Sequence, residues 1–471
     1  MNATLTDKIA SKRDKAFIGH PVGLGWLAAT EFWERFSYYG MLTLLVLYMT
    51  HHLLQPGQVE QVLGFTAFRH LMEWIYGPLS PQALASQIGG WYSGLVYLTP
   101  IGGGILAERF IGRTSAVTIG AILMATGHFL MAFDATFLIA LLCLLLGVGC
   151  FKGNIATQVG DLYGAEDPRR ADGFQIYYIG IQIAVIGSPL LCGFLADRYG
   201  WHWGFGIAGV GMLIGLCIYL LGRPTFPPEP IKQMKSGVQV RPPLDGNGLF
   251  NIMVLILLVP VLAVSAVGNQ QIFNAYLVWA QPVFDLKFLG FTMPVTWLVS
   301  VDSIVSTVTM VASIMFWRWW VTRWREPDEL SKIIIGVLIS ATGPLALAAA
   351  AATFAATGHR VSLGYAIAFH VLNDIGFANV FPVGLALYTR ASPKGYAGIM
   401  VPVYYLSLFA CGLTIGWLGA QLEHMNGTAF WLMHAGLIAG AGLALLVIRV
   451  TFGRSLTPSY EEPSAVAAEA A

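Results

Sequence analysis

Residues 29–41 read ATEFWERFSYYGM, and they lie inside an apolar run covering residues 22–50. Glu31, Glu34, Arg35 and Tyr38 are spaced i, i+3, i+4 and i+7, which puts them on one face of a helix. Counted from Pro21 at about 1.5 Å per residue, the charges begin roughly 15 Å into the run. If the run crosses a bilayer, the cluster sits near the midplane, where one charged side chain costs at least about 2.5–3.5 kcal/mol. Such a group is a candidate for function by default.

The rest of the chain supports a membrane setting. Of 471 residues, 56% are hydrophobic and 11% charged, which excludes an ordinary soluble domain with its roughly 25% charged residues. A net charge of +1 offers no field for nucleic acid. The N-terminus, MNATLTDKIASKRDK, has no apolar signal core, so the first span is expected to direct its own insertion. Cys143, Cys150, Cys192, Cys217 and Cys411 fall in apolar runs and are expected to be small core residues.

A span needs about 20 mostly apolar residues. Twelve runs qualify, near 22–50, 86–107, 114–133, 135–160, 173–196, 202–222, 250–281, 293–319, 332–356, 361–388, 397–420 and 428–450, with a break expected at Gly268 in the seventh. Placing both termini in the cytoplasm puts 20 of the 26 Lys and Arg on that side and only Arg69, Arg198, Lys287 and Arg360 outside. That bias selects an even number of crossings. The expected organisation is an all-α membrane protein: a six-helix bundle over 1–222, a cytoplasmic linker at 223–248, a second bundle over 249–454 and a disordered tail at 455–471. Two such halves suggest a secondary transporter with its site between them. VLGFTAFRHLMEWIY, residues 62–76, reads as an amphipathic surface helix.

Lys152 stands nine residues before Asp161 in the fourth span, roughly 13 Å from its end, at the depth of the first-span cluster. Two carboxylates, a guanidinium and an ammonium can neutralise each other in pairs and take up or release a proton; a purely structural ion-pair network is the alternative. Asp302 and Asp374 add acids in the eighth and tenth spans, and an amine-bearing substrate would find a partner there. No phosphate-binding GxxxxGK[ST] loop, HExxH or Cys/His metal spacing occurs, and His51, His52, His202, His359 and His424 sit at loop ends, where solvation is expected. No metal or cofactor is expected beyond the coupling proton. A lipid-modifying membrane enzyme would lack a nucleophile, and a non-transporting receptor would bind without flux.

EFWERFSYYGM resembles the ExxER signature of the proton-dependent oligopeptide transporters, a branch of the major facilitator superfamily. YLTPIGGGILAERFIGR at 97–113 resembles that family's motif closing the second span, with Glu108 where Asp is usual. GVGCFKGNIATQVGDLYGAEDPRRADGFQIYYIGIQIA at 147–184 resembles its signature from the fourth span into the fifth. The resemblance implies twelve helices in two six-helix bundles and import of small peptides with protons by alternating access. The implied setting is the inner membrane, with both termini cytoplasmic and a monomeric working unit. It implies that Glu31, Glu34, Arg35 and Lys152 couple the proton, and that Arg35 and Lys152 hold the substrate carboxylate. Tyr38, Tyr39 and Tyr97 match site tyrosines, Gln182 stands for a peptide-binding Asn, and Tyr404 joins the candidate substrate residues.

The departures concentrate at the substrate site. Leu42 stands where the family commonly has Arg, Asn269 where a gating Glu pairs with it, and Phe377 where a Glu binds the peptide amine. Losing both partners of a buried pair avoids stranding one charge. Asp302, where Asn is usual, is expected to replace the lost anion with Asp374. The alternative substrate is a modified peptide, an amino acid derivative or another nitrogenous acid.

Overall fold

Turn residues set where the helices begin. Pro21 precedes span 1 (Val22–Tyr48), and Ser80 caps span 2 (Pro81–Leu106), accepting from the Ala83 N–H at 3.1 Å with Pro81 in the first turn. The structure is a computed structural model that describes residues 14–164, 167–227, 244, 246–288, 290–393 and 395–456. Spans 3 to 6 are Arg113–Leu130, Phe137–Asp161, Arg169–Tyr199 and Trp201–Gly222. Span 8 is Trp297–Val321, span 9 runs from Glu329 to Thr357 through a joint at Gly343, and spans 10 to 12 are Gly364–Arg390, Ala397–Ala420 and Gly427–Leu456. Most of the expected linker and tail, residues 228–243, 245 and 457–471, lies outside the described residues.

Nine of the described helices are long and apolar enough to cross a membrane on length and composition alone. The other three of the twelve runs carry polar groups: Glu31, Glu34 and Arg35 in span 1, Gln82, Ser86 and Gln87 in span 2, Arg113 and His128 in span 3. Most of these side chains are buried against neighbouring helices, which is how a membrane protein accommodates them.

Span 7 is broken, as Gly268 suggested, though over a wider stretch. Its first piece ends at Ser265, two short turns cover Val267–Gln270 and Gln271–Phe273, and helix resumes at Ala275–Val283. The following link forms a two-residue ribbon that pairs Lys287 with Thr292, for which no residue pattern had argued. The surface helix forms as Phe65–Tyr76; it buries Phe65 and Met72 and leaves Leu71, Trp74 and Ile75 exposed.

The described termini share one end of the molecule, the terminal end, with the links between spans 2 and 3, 4 and 5, 8 and 9, and 10 and 11. The links after spans 1, 3, 5, 7, 9 and 11 form the distal end. One apolar core is built from residues between Leu24 and Tyr219, and two others mainly from residues between Val254 and Leu456. At the terminal end, Asp328 caps span 9 by accepting from the Ser331 N–H at 2.7 Å and pairs with Arg449 of span 12 at 3.0 Å.

The two halves meet along spans 2 and 11 and along spans 5 and 8. Trp297 Nε1 donates to the Leu190 carbonyl at 3.1 Å, and Ser300 Oγ to the Ile186 carbonyl at 2.7 Å. A Cβ on Gly90 would come 2.5 Å from the Gly412 carbonyl oxygen, so the backbones of spans 2 and 11 touch. These contacts lie in the distal halves of the helices, and the arrangement is closed at that end. Of the cysteines, Cys150, Cys192 and Cys411 are buried as expected, but Cys217 is exposed on the outer surface of span 6.

Candidate functional site

Helical spacing brings the first-span charges into contact as the sequence implied. Arg35 Nε lies 2.9 Å from Glu31 Oε1 and 2.6 Å from Glu34 Oε2, and the three residues are 1–4% exposed. Glu31 Oε2, Glu34 Oε1 and Arg35 Nη2 are buried with no hydrogen-bond partner among the described residues. Unmet polar atoms at this burial carry a substantial desolvation cost. They leave bonding capacity for a proton or a ligand group.

Lys152 reaches the same pocket from span 4. Its Nζ lies 4.6 Å from the centroid of the Tyr97 ring on span 2, within electrostatic range of Glu34 and Glu31 but in no ion pair among the described residues. Tyr38 lies under Arg35, 5.3 Å from ring centroid to guanidinium carbon. Tyr177 of span 5, which sequence reasoning did not single out, is buried beside Glu31. Spans 1, 2, 4 and 5 of the first half thus supply both signs of charge and the phenols around them.

An aromatic run carries this pocket into the second half. Tyr97 stacks on Tyr405 of span 11 at 6.2 Å, and Tyr405 neighbours Tyr404 at 5.9 Å. Tyr404 donates to the Phe381 carbonyl at 2.8 Å, and the Phe381 ring stacks on Phe377 at 5.3 Å. Tyr39 leans on Phe273, at the break in span 7, with centroids 5.8 Å apart. Gln182 Nε2 donates to Thr307 Oγ1 of span 8 at 2.8 Å, and Asn269 accepts from Gln270 at 3.3 Å. Tyr405, Phe381 and Phe273 escaped the sequence reading, because aromatic residues in apolar spans carry no signal of their own.

Asp302 is placed differently from the expected substrate anchor. It is 6% exposed and faces span 10, where His370 Nδ1 lies 2.8 Å from its Oδ1; Tyr276 of span 7 meets His370 Nε2 at 3.1 Å. Ser300, two residues earlier, points the other way, onto span 5. Asp374, fully buried, accepts from Asn373 Nδ2 at 3.3 Å while its Oδ2 is unpartnered among the described residues. Both acids therefore belong to a polar cluster inside the second half. Leu42 is packed in the core of the first half.

Two histidines expected to be solvated also have partners. His52 and His202 converge on Asp134 at the distal end, at 3.1 Å and 3.0 Å.

Known proteins share this architecture. The model of the POT family, PTR2, matches residues 114–241. A peptide transporter of Yersinia enterocolitica subsp. palearctica, YePEPT, is 28% identical over 92% of this chain and 95% of its own length. A di-/tripeptide transporter of Lactococcus lactis subsp. lactis is 34% identical over 54% of this chain and 47% of its own. The crystal structure of a peptide transporter POT in complex with sulfate superposes with a TM-score of 0.80 at 25% identity, covering 96% of this chain and 99% of that one. The chain is a multi-pass membrane protein with the fold of these peptide transporters, and its sequence is similar to theirs over most of its length.

Proposed function

We propose that this protein is a proton-coupled symporter that imports small peptides across the cytoplasmic membrane by alternating access, with the terminal end in the cytoplasm. The observation that carries the reading is the buried Glu31–Arg35–Glu34 cluster facing Lys152 across one pocket at the junction of the halves. A substrate carboxylate entering this pocket competes with Glu34 and Glu31 for Arg35 and Lys152. A glutamate that loses its cation in a buried site must take up a proton, because an unpaired buried carboxylate is far more costly than a neutral one. Proton uptake is thereby tied to cargo, and both leave when the terminal end opens to water.

The phenols of Tyr38, Tyr39, Tyr97 and Tyr404, with Gln182 and Asn269, supply the hydrogen bonds and ring faces a short peptide needs. The relatives named as peptide and di-/tripeptide transporters support that substrate class. One observation favours a second reading of the cargo. Phe377 and Phe381 present stacked rings where the resemblance leads one to expect a carboxylate, and Asp302 already holds His370. A modified peptide or amino acid derivative with an apolar group at that end fits such a wall.

Glu34→Gln in proteoliposomes tests the coupling. Uphill accumulation driven by a proton gradient is expected to vanish while exchange of labelled substrate persists. Equal loss of both would make the cluster purely structural.

A further inference from the structure

The His52, Asp134 and His202 side chains come from three places in the chain: the last helical turn after span 1, the short turn before span 4, and the first turn of span 6. His52 Nε2 is 3.1 Å from Asp134 Oδ2, His202 Nε2 is 3.0 Å from Oδ1, and the offered ligand atoms lie within 4.8 Å of one another. We propose that these three residues form a binding site for a first-row transition-metal dication, Zn²⁺ before others, at the distal end of the first bundle.

The spacing and the donor types both point to such an ion. Nitrogen and oxygen donors about 3 Å apart can surround one cation with bonds of about 2.0–2.2 Å, and two imidazoles with one carboxylate form a ligand set that favours zinc and its neighbours over calcium or magnesium. Tyr48 OH donates to Asp134 Oδ1 at 2.6 Å and fixes the carboxylate from behind, as the outer partners of metal ligands do. The rings of Phe137, Trp201 and Phe205 pack around Tyr48 at 6.0, 6.1 and 5.0 Å, giving the site an apolar floor.

No lysine or arginine pairs with Asp134 among the described residues, so its charge faces only the two histidines. The three side chains are 28%, 15% and 41% exposed, which lets an ion arrive from water and leaves room for a water ligand. All three residues belong to one bundle. The bound ion staples the ends of spans 1, 3, 4 and 6 together without crossing the interface between the halves, and so stiffens the bundle without stopping its rocking.

The test uses the full chain, purified in detergent, freed of any histidine tag and stripped with a chelator, and titrated with Zn²⁺ by calorimetry and by thermal melting. Saturable binding of one ion is expected, with a melting point that climbs with Zn²⁺ because the ion binds only the folded arrangement. His52→Ala, His202→Ala and Asp134→Asn should each weaken binding at least tenfold, while Glu34→Gln should bind as the wild type does. Co²⁺ in place of Zn²⁺ should give a visible absorption band that His52→Ala abolishes. Absence of saturable binding to the wild type, or undiminished binding by all three variants, would overturn the proposal and mark the trio as a hydrogen-bonded clasp. Metal binding is read without transport, so the outcome is independent of the symport assignment.

Discussion

Gly90 of span 2 and Gly412 of span 11 touch across the two halves, and a methyl group on Gly90 would stand 2.5 Å from the Gly412 carbonyl oxygen. Gly103 of span 2 makes a still closer approach within one half, where a Cβ would stand 1.9 Å from the Gly149 carbonyl oxygen of span 4. Similar chemistry at the two sites acts on different equilibria.

Gly90→Ala places its steric cost, about 1–3 kcal/mol, on the distally closed state alone, and the closed population should fall roughly 5- to 150-fold relative to the open one. Transport turnover is expected to drop while the melting point holds. Cysteine accessibility at the distal end should rise; unchanged accessibility would contradict the contact.

Gly103→Ala burdens every state, because spans 2 and 4 stay together. The fold should lose about 3 kcal/mol or more, seen as a lower melting point and reduced yield in detergent.

Removing His370 should be the costliest change in the second half. With the partner at 2.8 Å gone, Asp302 becomes an uncompensated buried acid, and breaking such a pair costs about 3–5 kcal/mol. His370→Leu is expected to melt well below Asp302→Asn/His370→Leu, and a double variant no more stable than the single would refute the pairing.

Lys152→Gln removes the cation over Tyr97 and, in the proposed mechanism, a partner for the substrate carboxylate. A loss of about 1–2 kcal/mol corresponds to roughly tenfold weaker apparent affinity, measurable by counterflow. Affinity unchanged in this variant would remove Lys152 from the binding site.

Asp328 offers a pH test at the terminal end. Burial raises its carboxyl, but bonds from Arg449 and Ser331 outweigh this and hold it below the ordinary range. A lowered folded value means its contribution is complete above the unfolded value of about 3.9 and is lost as pH falls through the folded one. Asp328→Ala should cost about 1 kcal/mol at neutral pH, and the gap from wild type should close in melts carried below about pH 4.

The helices and the first-span charges were legible because both signals are local. Apolar run length marks a span, and i, i+3, i+4 spacing forces Glu31, Glu34 and Arg35 together whatever surrounds them. Lys152 could be placed by depth alone, since helices crossing the same layer bring residues of equal depth to one level. The partners of Asp302 were not legible: His370 is 68 positions away, and only the rotation of span 8 about its axis decides whether residue 302 faces cargo or its own bundle. Asp134, His52 and His202 were hidden for the same reason, since three ordinary link residues gain meaning only when the ends of spans 1, 3 and 6 converge. The interruption of span 7 was visible at Gly268, yet its extent to Asn274 depends on the contact of Asn274 Nδ2 with the Ser86 carbonyl at 2.9 Å in the other half.

That interruption turns a rod into a jointed arm. From Gln271 to Asn274 the chain is a 3₁₀ segment and a turn residue in place of regular α-helix, so swinging the segment beyond Ala275 sacrifices fewer bonds than bending an intact helix would. Phe273 and Asn274, at the elbow, both rest on the opposite half. Motion of either half therefore levers on the same short stretch of chain, where flexibility is already built in.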